Sequence, residues 1–160
     1  MKKRNINGLI GLALCTGVSL AAAAPVALAD DMMASADTAY ETREGVMKAI
    51  GGHMKALGAV AKGEAAMDAG TPIHAQAIME LSHTVKFLFP EDSITEKSRA
   101  KPEIWLDWDG FMKASMDFET ASAALVEAAA GSDPAALGAA LGDVGKTCGG
   151  CHKPFRGPEK

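Results

Sequence analysis

Apolar side chains return every three or four positions along this chain, in four separate tracts. Tyr40, Arg43, Met47, Ile50, Met54, Leu57 and Ala61 form the first, one face of a helix within residues 33–63. After "DAGTP" the pattern resumes as Ile73, Ala77, Leu81, Val85 and Leu88, with Thr71 as the predicted cap, Pro72 at the first helical position and Pro90 as the stop. A polar, irregular stretch from Glu91 to about Pro102 is the longest connection. A third tract follows it with Trp105, Trp108, Phe111, Met112, Ser115, Phe118, Leu125 and Val126. "GSDP" then closes one helix and opens another, which carries Leu137, Leu141, Val144, Cys148, His152 and Phe155. Strand-like alternation is not sustained anywhere, and alanine is abundant. The pattern predicts an all-α fold, an antiparallel four-helix bundle.

The first 29 residues lie outside that pattern. Lys2, Lys3 and Arg4 precede an apolar, small-residue run that ends in "ALA" at Ala27 to Ala29, the form of a cleaved signal peptide. A membrane anchor is the competing reading of the run, but its end, "AAAAP", is weak for a span. Cleavage after Ala29 predicts an exported, periplasmic protein of residues 30–160 with no stable membrane insertion. That segment keeps 13 Lys and Arg against 20 Asp and Glu, a formal charge of −7. Such an acidic chain is a poor nucleic-acid binder. Cys15 leaves with the leader, so Cys148 and Cys151 become the only thiols in an oxidising compartment.

Those two thiols belong to "CGGCH". On a helix, Cys148 and His152 share a face and Cys151 flanks the imidazole. The C-x-x-C-H spacing lets two thiols bond the vinyl groups of one haem while the adjacent imidazole reaches its iron. A redox dithiol would sit near a βαβ pattern, with its first cysteine at a helix N-terminus. A closed zinc site would need His53, His74 or His83 to supplement the two thiols. A disulfide would close a tight loop within one helical turn. Covalently bound haem c is therefore the favoured reading, with iron as its metal.

The second axial position decides what such a haem does. Met47 lies mid-helix on the inward stripe and is the candidate ligand, with plain core packing as the alternative; His53 is the local competitor. Arg43, one turn earlier, is costly on an apolar face unless its charge is paired, and a haem propionate could pair it. A solvent-exposed helix end is the other account of that arginine.

The chain from residue 30 onward resembles the cytochrome c-prime (c') family. "CGGCHKPFR", residues 148–156, carries the resemblance at the C-terminus. "VMKAIGGHMKALGAVAKGE", residues 46–64, and "LFPEDS", residues 88–93, are similar to its low-spin cytochrome c-556 branch. The resemblance implies thioether bonds at Cys148 and Cys151, His152 on the iron, Met47 as second ligand and Arg43 near a propionate. Arg156 matches the basic residue one turn beyond the histidine. It further implies a low-spin electron carrier, not an enzyme, that serves redox partner proteins. The alternative within the family is a high-spin protein with an open site for nitric oxide or carbon monoxide. A homodimer is also compatible, because the first helix's apolar stripe can serve both core and interface. The "SITEKSRAKPEIW" connection carries no functional expectation.

Overall fold

The computed structural model describes residues 35–158. The predicted leader and its cleavage site lie outside the described residues. Four long helices are present: α1 (Ala36–Ala61), α2 (Gly70–Ser82), α4 (Trp108–Ala130) and α5 (Pro134–Phe155), with a single-turn helix, α3 (Glu103–Leu106), between α2 and α4. Each long helix borders two others in the cyclic order α1, α2, α4, α5, which makes a four-helix bundle. Leu57, Ile78, Phe111, Leu125, Leu137 and Val144, each at most 1 % exposed, fill its centre.

Local chemistry sets the helix ends. Ser35 accepts a hydrogen bond from the Thr38 N–H to start α1. Gly63, at φ 74°, ends that helix: its N–H reaches the Val60 carbonyl while the Glu64 N–H reaches Ala59. These are the two bonds of a Schellman turn, which needs a left-handed residue at that point. Asp133 caps α5 through the Ala135 N–H, with Pro134 in the first turn, as the sequence predicts.

The second tract differs from its prediction. Thr71 lies inside α2 and accepts from the Asp68 N–H, while the Asp68 carboxylate accepts from Gly70 N–H. The helix ends at Ser82, and a 3₁₀ turn at Val85–Phe87 covers the remainder. Its buried face is Thr71, Ala75, Ile78 and Ser82, whereas Ile73 is 67 % exposed. Three of those four side chains are small, and they, not the larger apolar surface of Ile73, face the bundle. The third tract is likewise broken, because Asp107 caps α4 through the Gly110 N–H and separates it from α3. Trp108 begins the new helix partly exposed.

Candidate functional site

The last two turns of α5 place Cys148, Cys151 and His152 beside a cavity of about 390 Å³ between α1 and α5. That volume lies within the usual range of roughly 300–1,000 Å³ for cofactor and ligand sites. Cys151, His152 and Phe155 line it from α5; Tyr40, Arg43 and Met47 line it from α1. Cys148 does not line the cavity and packs against the core one turn back. Val85, Phe89, Ile104 and Phe111 make apolar walls, where Phe111 stands edge-on to both Phe89 and Phe155 at centroid distances of 4.9 and 5.5 Å.

Both thiols are free and partly buried. Burial pushes Cys151 up to about 11, with Cys148 adding to the shift, and burial also raises Cys148. A redox dithiol works through a thiolate of lowered pKa, so this environment is the reverse of what that chemistry needs. The zinc alternative also fails on position. His53 and His74 pair with each other, His83 bonds Glu119, and no group of three or more His, Cys, Asp or Glu forms a metal cluster among the described residues. His152 is held below its ordinary pKa, first by burial and then by Arg156 and Arg99, so its imidazole is neutral and its lone pair available.

Arg43 is 5 % exposed and is not a solvent-facing helix end. Its Nη1 donates to Leu88 O at 3.1 Å and Ser93 Oγ at 2.9 Å; its Nη2 donates to Ser93 O at 2.7 Å and Ser98 Oγ at 3.3 Å. The guanidinium also lies over the Phe89 ring. Every one of these partners is neutral, and burial lowers the arginine's pKa. A cation so placed, on the wall of an apolar cavity, suits a group that brings its own carboxylates.

The irregular connection, whose sequence carries no functional expectation, builds much of this site. Lys97, Ser98, Arg99 and Ala100 line the cavity, and Ala100 bridges to Arg156. Lys101 N–H donates to Phe155 O, and Gly157 N–H donates to Arg99 O. Periodicity could not find these residues because they are irregular; the arginine on an apolar stripe was the one signal that polar partners had to fold over it. His53, in contrast, does not line the cavity, so the local competitor to Met47 faces elsewhere.

Two free thiols and a neutral imidazole on one helix end, with Cys151 and His152 on an apolar cavity that has cations on its rim, fit a covalent haem and define a c-type haem protein. A family model described as Cytochrome C' matches residues 38–156, and the chain belongs to that family, whose all-α bundle carries thioether-linked haem c. Cytochrome c' of Pararhodospirillum photometricum is 38 % identical over 77 % of this chain and 99 % of its own length. A solved cytochrome c' from Rhodobacter Spheriodes superposes with TM-score 0.73 at 35 % identity, covering 79 % of this chain and all of that one. A ferrous variant of the Alcaligenes xylosoxidans protein, solved with bound NO, gives TM-score 0.71 at 28 % identity, covering 79 % and 98 %.

These matches correct the functional expectation. The low-spin, His/Met-ligated electron carrier is overturned by membership in a family of high-spin, gas-binding proteins. A cytochrome c-556 from Agrobacterium tumefaciens matches at 38 %, no better than the cytochromes c', so the likeness to that branch singles nothing out. The physical reason is that a three-and-four stripe reports which way Met47 faces; a thioether facing a cavity serves equally as packing. The family's proteins carry haem and are not enzymes, and neither is this chain. Among the described residues, no helix is long and apolar enough to cross a membrane.

Proposed function

We propose that the chain is a high-spin periplasmic cytochrome that binds nitric oxide or carbon monoxide at one haem c. Cys148 and Cys151 would hold the haem through thioethers and His152 would ligate its iron. When bound, the haem supplies an iron that takes a diatomic ligand. The observation that carries the reading is the cavity, which joins Cys151 and His152 to apolar walls. The apolar part of the lining, Val85, Phe89, Ile104 and Phe111, offers no acid or base to a ligand, while Tyr40, Glu44, Lys48 and Lys97 border the same cavity. Four of the five N–H donors of Arg43 are committed to Leu88, Ser93 and Ser98, so few remain to bond a ligand on the iron. The remaining Nε–H and the charge itself suit a haem carboxylate, and Arg156 suits another. Met47 is proposed as a wall residue and not a ligand. The NO-bound Alcaligenes xylosoxidans relative supports the gas assignment, and the leader-like first 29 residues support export.

The absorption spectrum tests this reading. The protein as isolated, with one haem retained on denaturation and a mass beginning at Asp30, should show a five-coordinate ferric spectrum and bind carbon monoxide when reduced. A six-coordinate low-spin resting state that excludes carbon monoxide would overturn it.

A further inference from the structure

Two histidines outside the haem site face each other between α1 and α2. His53 Nδ1 and His74 Nδ1 are 2.8 Å apart, with ring centroids 5.1 Å apart and ring planes inclined at 50°. Both residues are half-buried, and neither lines the His152 cavity. Two neutral imidazoles at this distance share one proton, because one Nδ1 must donate and the other accept. If the donor's proton moves through solvent to its own Nε2, both Nδ1 lone pairs become available between the helices. No net proton is lost in that change of tautomer.

The nitrogen donors, more than their present spacing, distinguish among metals. Nitrogen ligands lie about 2.0 Å from a first-row divalent ion, so two at right angles are about 2.8 Å apart, whereas two at the tetrahedral angle are about 3.3 Å apart. The observed 2.8 Å is that of the present hydrogen bond, and turning the rings gives access to either spacing. Tetragonal geometry belongs to Cu²⁺ and Ni²⁺, and Cu²⁺ binds nitrogen donors more tightly than the other divalent ions of its row. We infer that His53 and His74 form a cupric-ion site, each giving Nδ1 to one of two adjacent positions, with water in the others. Both rings turn about χ2 so that the lone pairs meet beside the present N···N line. No third His, Cys, Asp or Glu joins them among the described residues, so the site is open and its metal exchangeable. Each ligand comes from a different helix, so the ion would cross-link α1 to α2 and binding would be coupled to their packing.

Copper titration of the haem-loaded protein at neutral pH, followed by electron paramagnetic resonance, tests the inference independently of the gas-binding reading. One equivalent of Cu²⁺ should give a tetragonal signal with coupling to two nitrogens, and Zn²⁺ should compete weakly. His53→Gln and His74→Gln should each weaken Cu²⁺ binding at least about tenfold. His83→Gln should leave it unchanged, since His83 contacts Glu119. Copper uptake that is not stoichiometric, or is unaffected by both glutamine variants, would overturn the site. Should either variant lose its helix content, protection of both wild-type histidines from acylation by Cu²⁺ decides the matter: protection supports the site, and undiminished acylation rejects it.

Discussion

Met47 and Arg43 stand one turn apart on α1, and both line the same cavity, yet they put different demands on it. The thioether asks only for contact, whereas the buried cation organises everything near it. Met47→Ala should therefore leave the resting spectrum five-coordinate and the haem attached, and should cost about 2–4 kcal/mol in denaturant unfolding through lost packing. A resting spectrum that is low-spin in the parent and high-spin in the variant would reinstate the thioether as a ligand. What the sequence disclosed here was facing, because the helical repeat orients both residues inward. It did not disclose partnership. Leu88, Ser93 and Ser98 lie 45, 50 and 55 residues from Arg43, and Phe89 reaches the guanidinium from the same irregular segment. Cys148, Cys151 and His152 were readable for the opposite reason: their chemistry depends on neighbours within one helical turn.

Between elements, Glu119 of α4 ties the end of α2 and the turn after it. Its carboxylate meets His83 Nδ1 at 3.0 Å and Lys86 Nζ at 3.3 Å. Burial opposes its ionisation, but the bonds from His83 and Lys86 outweigh burial and hold the carboxyl below its ordinary pKa. A depressed carboxylate pKa contributes stability that is complete above the unfolded value, near 4.3, and is lost as the pH falls through the lower folded value. Glu119→Gln should accordingly be less stable than the parent at neutral pH, with the gap closing only below about pH 4.3. Thermal unfolding of both proteins across that window measures it. At this scale the sequence disclosed four helical tracts and the Asp133–Pro134 start of α5. It missed the face of α2, where Ala75 and Ser82 are buried while Ile73 is not, because hydrophobicity ranks side chains by surface and close helix packing ranks them by size. It also missed the break before α4, since Asp107 interrupts the backbone without interrupting the apolar spacing.

Across the described residues, the connection from Leu88 to Lys101 is the piece that closes the haem site, and it is fastened from both the first and the last long helix. Arg43 holds it from α1; Phe155, Arg156 and Gly157 hold it from the far side of α5. Removing residues 156–160 deletes the bonds Gly157 N–H to Arg99 O and Arg99 Nε–H to Gly157 O. Loss of that fastening should cost roughly 2 kcal/mol and quicken carbon monoxide association with the ferrous protein. Denaturant unfolding and flash photolysis of the truncated, haem-bearing chain would check both, and an unchanged association rate would show that the connection does not limit entry. The same fastening also links closure of the site to the folding of α5. The connection has nothing to seat against until Phe155, Arg156 and Gly157 have taken their places at the end of α5. Cys151 sits one turn before Phe155, so a chain whose α5 has not yet docked can present its thiols for attachment before the wall beside them exists.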